Sequence, residues 1–266
     1  MLRLMLWLLL LVGSLPVRAQ VRLPILPDSL RPKGPLAGIQ SPMVRTVVAV
    51  APPVALLTYG ILIRNNPPKL LASRHELREE VREHFADFET TADDYTRHVP
   101  TAAVFGLSLA GVPARHGLLD RAALFTASSL VSTGITSFLK RRVKDPRPYD
   151  PTELSSFPSY HTTQAFTGAT VLAEEYGGHS GWIMAGGYGV ATATGAMRVL
   201  NDRHWVTDVA VGAAIGILST EAVYAVYPLV KRAIFGPGKK KASRAMVVPV
   251  APVGTRLGAA LTWMLR

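Results

Sequence analysis

Three short clusters of cations, histidines and hydroxyls stand apart from an otherwise apolar chain, each at the end of a hydrophobic segment. The first is Lys140-Arg141-Arg142-Val143-Lys144-Asp145-Pro146-Arg147-Pro148, where an apolar run ends in cations and two prolines fix the path that follows. Such a stretch can aim Lys140 and Arg147 at one anion, because a point charge beside a planar fork of donors suits phosphate oxygens. A basic run after an apolar helix also serves as a membrane-flanking anchor. The second cluster, Ser155 to Thr163, contains Pro158-Ser159-Tyr160-His161 and leads straight into an apolar segment. Backbone N–H groups at a helix start attract anions, Ser159 adds a hydroxyl donor, and His161 would stand beside the bound anion as a proton donor. A lone histidine at a helix start also serves as a cap or a surface residue. The third cluster runs from Arg198 to Asp208. If a helix begins near Trp205 or just before it, His204 and Asp208, four apart, share one face, where the carboxylate can take one ring N–H and leave the other nitrogen as a nucleophile. The same pair fits an ordinary helix surface or half of a metal site. No His-Glu-x-x-His arrangement accompanies it, so no metal is expected.

Together the clusters read Lys-x6-Arg-Pro, Pro-Ser-x-His and Arg-x5-His-x3-Asp. In that order this resembles the type-2 phosphatidic acid phosphatase superfamily, which also holds bacterial class A acid phosphatases and vanadium-dependent haloperoxidases. The resemblance covers about residues 98 to 230. It implies that Lys140, Arg147, Arg198 and Ser159 hold phosphate oxygens, that His204 attacks phosphorus with Asp208 orienting it, and that His161 protonates the leaving oxygen. A phosphohistidine would then be hydrolysed by water that His161 activates. No cofactor is implied; vanadate would enter only under the haloperoxidase alternative. Two positions depart from the family pattern: Tyr160 stands where Gly is usual, which raises the question of backbone freedom, and Met197 stands where Ser is usual.

The elements that must carry these clusters are helical. Apolar segments at Thr46 to Ile63, Val99 to Val112, Leu118 to Leu139, Thr162 to Leu172, Trp182 to Met197 and Val206 to Val230 predict an all-α, membrane-embedded bundle of about six helices. Their Ala, Gly, Ser and Thr content suits close helix packing. Pro52-Pro53 should kink or break the first. Ser73 and Glu76 form a capping-box pair, and Leu77, Val81, Phe85 and Phe88 mark one apolar stripe on a surface helix whose mixed charges read as a solvated face. Residues 245 to 266 read as a short β-hairpin or a disordered tail. The expected division is a signal peptide at 1–19, an N-terminal linker, first apolar helix and amphipathic helix at 20–97, a phosphatase-like core at 98–232, and a basic linker and tail at 233–266.

Arg3, the apolar run Leu4 to Val12 and Val17-Arg18-Ala19 have the pattern of a secretory leader, which places the chain in a bacterial cell envelope. The topology signals conflict. Counting every early segment as a span puts the site in the cytoplasm, whereas the positive-inside rule puts the basic run at 231–244 there, on the opposite side. Glu174-Glu175 come only 13 to 14 residues after His161, where a mid-bilayer acid is costly. The expectation is an inner-membrane enzyme with an outward-facing site, or a periplasmic, membrane-associated one.

Composition excludes other classes. With no cysteine there is no disulfide scaffold, thiolate zinc site or cysteine nucleophile, and 48% hydrophobic residues are too many for a disordered chain. The net charge of +11 is divided between the clusters and the tail rather than forming a stripe with aromatics, so nucleic acid is not an expected partner. The expected activity is hydrolysis of a lipid phosphate or diphosphate, such as phosphatidic acid, an isoprenoid diphosphate or lipid A. The alternatives are a periplasmic acid phosphatase acting on small monoesters, a vanadate-dependent haloperoxidase, and a non-catalytic anion-binding envelope protein.

Overall fold

The computed structural model describes residues 42–65, 72–178, 180–236, 247–248 and 260–261. All six apolar segments fold as helices: α1 (Pro42–Asn65), α4 (Val99–Leu109), α5 (Leu118–Val143), α6 (Tyr160–Tyr176), α7 (Gly181–Leu200) and α8 (Val206–Phe235). Two polar helices, α2 (Arg74–His84) and α3 (Ala92–Thr96), precede α4. The leader at 1–19, the proline-rich stretch up to residue 41 and the cationic stretch Lys239 to Arg244 lie outside the described residues.

Of the kink or break expected at Pro52-Pro53, the break does not occur, and α1 continues through both. Each proline removes one intrahelical donor. Leu56 and Ile63, 6% and 1% exposed, bury the half of the helix that follows, and this packing offsets the loss. The Ser73 capping box forms, with Glu76 N donating to Ser73 Oγ at 3.2 Å and Ser73 N donating to Glu76 Oε2 at 2.7 Å. The stripe on α2 is shorter than expected. Leu77 and Val81 are buried, but the helix ends at His84, so Phe85 and Phe88 fall beyond it and are exposed.

At the centre stands α6, buried along nearly its whole length. Phe166, Ala169, Tyr188, Ala191, Ala213 and Ile217 form the core it shares with α7 and α8. Small residues let the backbones approach: a Cβ at Gly212 would meet Ser159 O at 2.6 Å, and one at Gly216 would meet Thr163 O at 2.7 Å. This contact brings the starts of α6 and α8 together, so that Ser159 N donates to Asp208 O at 3.0 Å.

Helix α5 is polar inside and apolar outside. Ser132 and Thr136 are buried against α6, where Thr167 Oγ1 donates to Ser132 Oγ (3.0 Å) and Thr136 Oγ1 donates to Thr163 Oγ1 (3.2 Å). Leu130, Val131, Ile135 and Phe138 face outward. That inversion suits lipid rather than water. Among the described residues, two helical stretches, Leu118–Val143 and Val206–Ile234, are long and apolar enough to cross a membrane. Glu174 and Glu175, which argued against crossing, are buried but partnered. Arg115 Nη1 donates to Glu174 Oε2 at 2.5 Å, while His116 N and Tyr224 OH donate to the Glu175 carboxylate at 2.9 and 2.8 Å. These partners offset the cost of burying the acids. Along α5, the buried Arg121 and the site lysine Lys140 are separated by about 28 Å, close to the thickness of a hydrocarbon core.

The chain divides into two units, Met1–Tyr227 and Pro228–Arg266. In the second, β1 (Val247–Val248) pairs antiparallel with β2 (Ala260–Leu261), with Val247 opposite Leu261, so the tail contains the short β pairing expected of a hairpin.

We expect Gly216→Ala to cost about 1–3 kcal/mol by overpacking the α6–α8 contact. A thermal melt followed by circular dichroism checks this. Gly189→Ala, whose added Cβ meets nothing within 4 Å, should leave the midpoint unchanged or raised.

Candidate active site

The ends of four helices converge. Lys140 lies in the last turn of α5, Arg198 in the last turn of α7, Ser159 caps α6, and Asp208 lies in the first turn of α8. Trp205 caps α8, and its backbone N–H donates to Asp208 Oδ2 at 3.1 Å, the N-terminal half of a capping box. His204 precedes it and is 3% exposed. Its N–H donates to Arg198 O at 3.2 Å, which fixes the α7–α8 corner.

Each cation has a fixed holder. Lys140 Nζ donates to the carbonyls of Ser155 and Ser156. Arg147 donates to Ser155 Oγ (3.2 and 3.0 Å) and pairs with Glu153 Oε1 at 2.9 Å. Arg198 Nη1 donates to Asp93 Oδ2 at 2.6 Å, while its Nε is buried without a partner. An orphaned guanidinium N–H in a buried cationic site is the demand that an anion's oxygen would meet.

Burial is the largest influence on His204, followed by the charges of Lys140, Arg198, Arg147 and His161. Together they hold its pKa well below 6.5. The ring is therefore neutral and nucleophilic at neutral pH. Its Nδ1 lies 3.4 Å from Asp208 Oδ2, and that same oxygen accepts from Ser156 Oγ at 2.5 Å. Asp208 thus serves the helix cap, the Ser156 hydroxyl and the histidine at once. His161, in the first turn of α6, has its pKa lowered by burial first and then by Arg198.

All seven residues singled out in the sequence lie around this convergence. Ser159 is fully buried. Its Oγ accepts from Thr162 Oγ1 at 2.9 Å, and its own hydroxyl proton remains available to donate. The glycine question at Tyr160 is resolved by geometry: Tyr160 opens α6 and is not among the residues with positive φ, so a side chain there brings no left-handed strain. Met197 is half-buried in the last turn of α7.

Other contributors were not evident in the sequence. Ser156 lies 52 positions from Asp208 and Asp93 lies 105 from Arg198, distances at which no local pattern operates. The charges of α2 are also more than a solvated face. Arg78 Nε and Nη2 grip Asp202 at 2.7 and 2.6 Å, Arg74 pairs with Asp145 at 2.7 Å, and the Arg74 guanidinium stacks 4.5 Å over Trp205. Asp202, with φ of 57°, adjoins the loop that carries His204. A cavity of about 800 Å³, lined by Phe85, Phe88, Tyr149, Asn201, His161 and Arg198 among others, opens beside the site. Among the described residues, one group has metal-ligand spacing, namely Asp93, Asp94 and His161, with ligand atoms within 4.8 Å of one another. Arg198 Nη1 and Arg97 Nη1 already stand 2.6 and 3.1 Å from two of those atoms, and two cations in that position oppose a third.

Residues 121–232 match the PAP2 superfamily. The lipid A 1-phosphatase of Porphyromonas gingivalis is 35% identical over 151 residues, which cover 54% of this chain and 33% of that protein. The chain thus spans about a third of the length of this curated relative. Among crystal structures, Aquifex aeolicus LpxE is similar at 24% identity with a TM-score of 0.40, covering 64% of this chain and 94% of that one. The transmembrane PAP2-type phosphatidylglycerolphosphate phosphatase of Bacillus subtilis is 18% identical with a TM-score of 0.45, covering 68% and 98%.

Ser156→Ala leaves the Asp208 carboxylate with one fewer donor in a buried setting. We expect the variant to lose about 1–3 kcal/mol of stability, since a buried acceptor is left with one fewer donor. Circular dichroism through a thermal melt reads the loss.

Proposed function

We propose, from the premise that this chain carries a PAP2 superfamily domain over residues 121–232, that it is a phosphatase acting on a lipid phosphate or diphosphate. The observation that carries the reading is the buried, neutral His204 ringed by Lys140, Arg147 and Arg198, with the Nε of Arg198 unpartnered. The phosphate oxygens take the cations and the Ser159 hydroxyl. With Nδ1 turned to Asp208, His204 Nε2 attacks phosphorus in line, an N–P bond forms, and the P–O bond to the leaving group breaks. His161 gives its proton to the departing oxygen. It then takes a proton from water, whose oxygen attacks phosphorus, and the N–P bond breaks to release phosphate. The three cations supply the charge stabilisation, so the reaction is proposed to need no metal.

Two features favour a lipid. The outward apolar face of α5 runs through Ile135 and Phe138 to the turn that holds Lys140, which lets an acyl chain lie beside the cage. The cavity beside His161 gives room for a bulky leaving group, and its aromatic rings (Phe85, Phe88, Tyr149) with the carboxylates of Asp87 and Glu89 suit the hydroxyls and ring face of a sugar head more than a glycerol backbone. A lipid A-type phosphate is therefore the favoured substrate, in keeping with the name of the Porphyromonas gingivalis relative. The proposed location is a bacterial inner membrane with the site facing outward.

Purified protein should release phosphate with chelator present, fastest from a lipid A-type phosphate, then from phosphatidic acid or an isoprenoid diphosphate, and slowest from an aryl phosphate. His204→Ala should abolish the release. Inactivity of the wild type on all four would overturn the reading.

The pH profile follows from His161. His161 must be protonated to serve as acid, and its pKa lies below 6.5, so kcat/KM should fall as pH rises through that lowered value. Bound phosphate adds negative charge beside the ring and raises its pKa. The alkaline limb of kcat should therefore lie at higher pH than that of kcat/KM.

A further inference from the structure

We propose that Asp93 and Asp94, carried by the short helix α3 outside the family-matched segment, are positioning residues, Asp93 fixing the guanidinium of Arg198 and Asp94 fixing the ring of His161. The inference rests on the phosphatase reading for what those two partners do. The geometry itself does not depend on it.

Asp93 is 1% exposed, and its two oxygens are used separately: Oδ2 accepts from Arg198 Nη1 at 2.6 Å and Oδ1 from Asn201 Nδ2 at 3.2 Å. Asn201 also binds the turn before α3 in both directions, accepting from Thr90 N at 3.0 Å and donating to Thr90 O at 2.7 Å. Thr96 Oγ1 lies 2.9 Å from Thr194 Oγ1 on α7. Thus α3 is tied to α7 at both ends, and Asp93 approaches Arg198 on a fixed backbone. An arginine free to swing among rotamers would lose entropy on gripping a phosphate, whereas this one is held in advance. Asp93 engages Nη1 and leaves Nε without a partner.

Asp94 is the next residue, and its Oδ1 lies 2.7 Å from His161 Nε2. A carboxylate at that distance takes the Nε2 proton and keeps the other ring nitrogen for the leaving oxygen. The charged groups facing His161 are Asp93, Asp94 and Arg97 from the α3 region and Arg198 from α7; His204 stands close enough to feel its charge. Arg97 Nη1 is 3.1 Å from the same nitrogen, so a cation and a carboxylate oppose each other there. Asp94 raises the pKa of His161 against burial and the two arginines. Without it the acid would lose its proton at lower pH.

The experiment reads both effects without relying on turnover alone. In Asp94→Asn, the His161 ring titration followed by NMR in detergent should move down by about half a unit to one unit. The alkaline limb of kcat/KM should move by the same amount, and Asp94→Glu should restore part of both. In Asp93→Asn, the affinity for orthovanadate measured by calorimetry should weaken about tenfold, with Asp93→Glu recovering part of it. Should Asp93→Asn fail to fold, Asn201→Ala, which loosens the α3 turn but leaves the Asp93–Arg198 pair in place, should weaken orthovanadate binding in the same direction. An unmoved His161 titration together with unchanged orthovanadate affinity would overturn the proposal. A wild type that binds orthovanadate and shows these shifts but releases no phosphate would support the positioning roles and overturn the phosphatase reading.

Discussion

Three cations crowded around a buried imidazole repel one another, and the rest of the site is organised to bear that repulsion. Every one of them is held by a specific oxygen: carbonyls on Lys140, Glu153 on Arg147 and Asp93 on Arg198. Cations already fixed in place need no rearrangement when an anion arrives. The same field, added to burial, denies His204 a proton and so makes it a nucleophile. The repulsion that must be offset in the empty site is therefore also the source of its chemistry.

The fold meets this demand by bringing helix ends together. Helix α6 is buried on all sides, and the small residues of α8 allow its backbone to reach that of α6. The Ser159 to Asp208 backbone hydrogen bond then joins the two N-termini. The membrane-compatible face of α5 and the buried acids at the far end of α6 belong to the same solution, since polar groups are gathered at the two ends and hydroxyls line the seam between them. The outer surface is left to apolar side chains.

The N-terminal helices complete this arrangement. Helix α2 reaches both loops of the site, through Arg74 to Asp145 and through Arg78 to Asp202, and it covers Trp205 with guanidinium and imidazole groups. Helix α3 adds the two carboxylates. The excess of positive charge in the chain is thus partly committed to internal pairs that clamp the loops on either side of His204.

The sequence by itself determined the six apolar helical segments and offered seven candidate site residues, because apolar periodicity and short motifs act over a few residues and are written contiguously. Spacing already put Asp208 within reach of His204, although His204 lies ahead of α8 rather than on its face, and the prolines around Arg147 already implied a fixed path. Only the tertiary structure decided that Asp208 also answers to Ser156, that Arg198 and His161 are held by Asp93 and Asp94, and that Arg74 and Arg78 of the otherwise solvated α2 face clamp Asp145 and Asp202. It also decided that Tyr160 brings no left-handed strain, since backbone freedom is needed only where φ is positive and Tyr160 lies outside that set. The physical reason is distance along the chain. Partners separated by 52 to 105 residues leave no periodic trace, and their meeting depends on how helix ends stack, which no local pattern encodes.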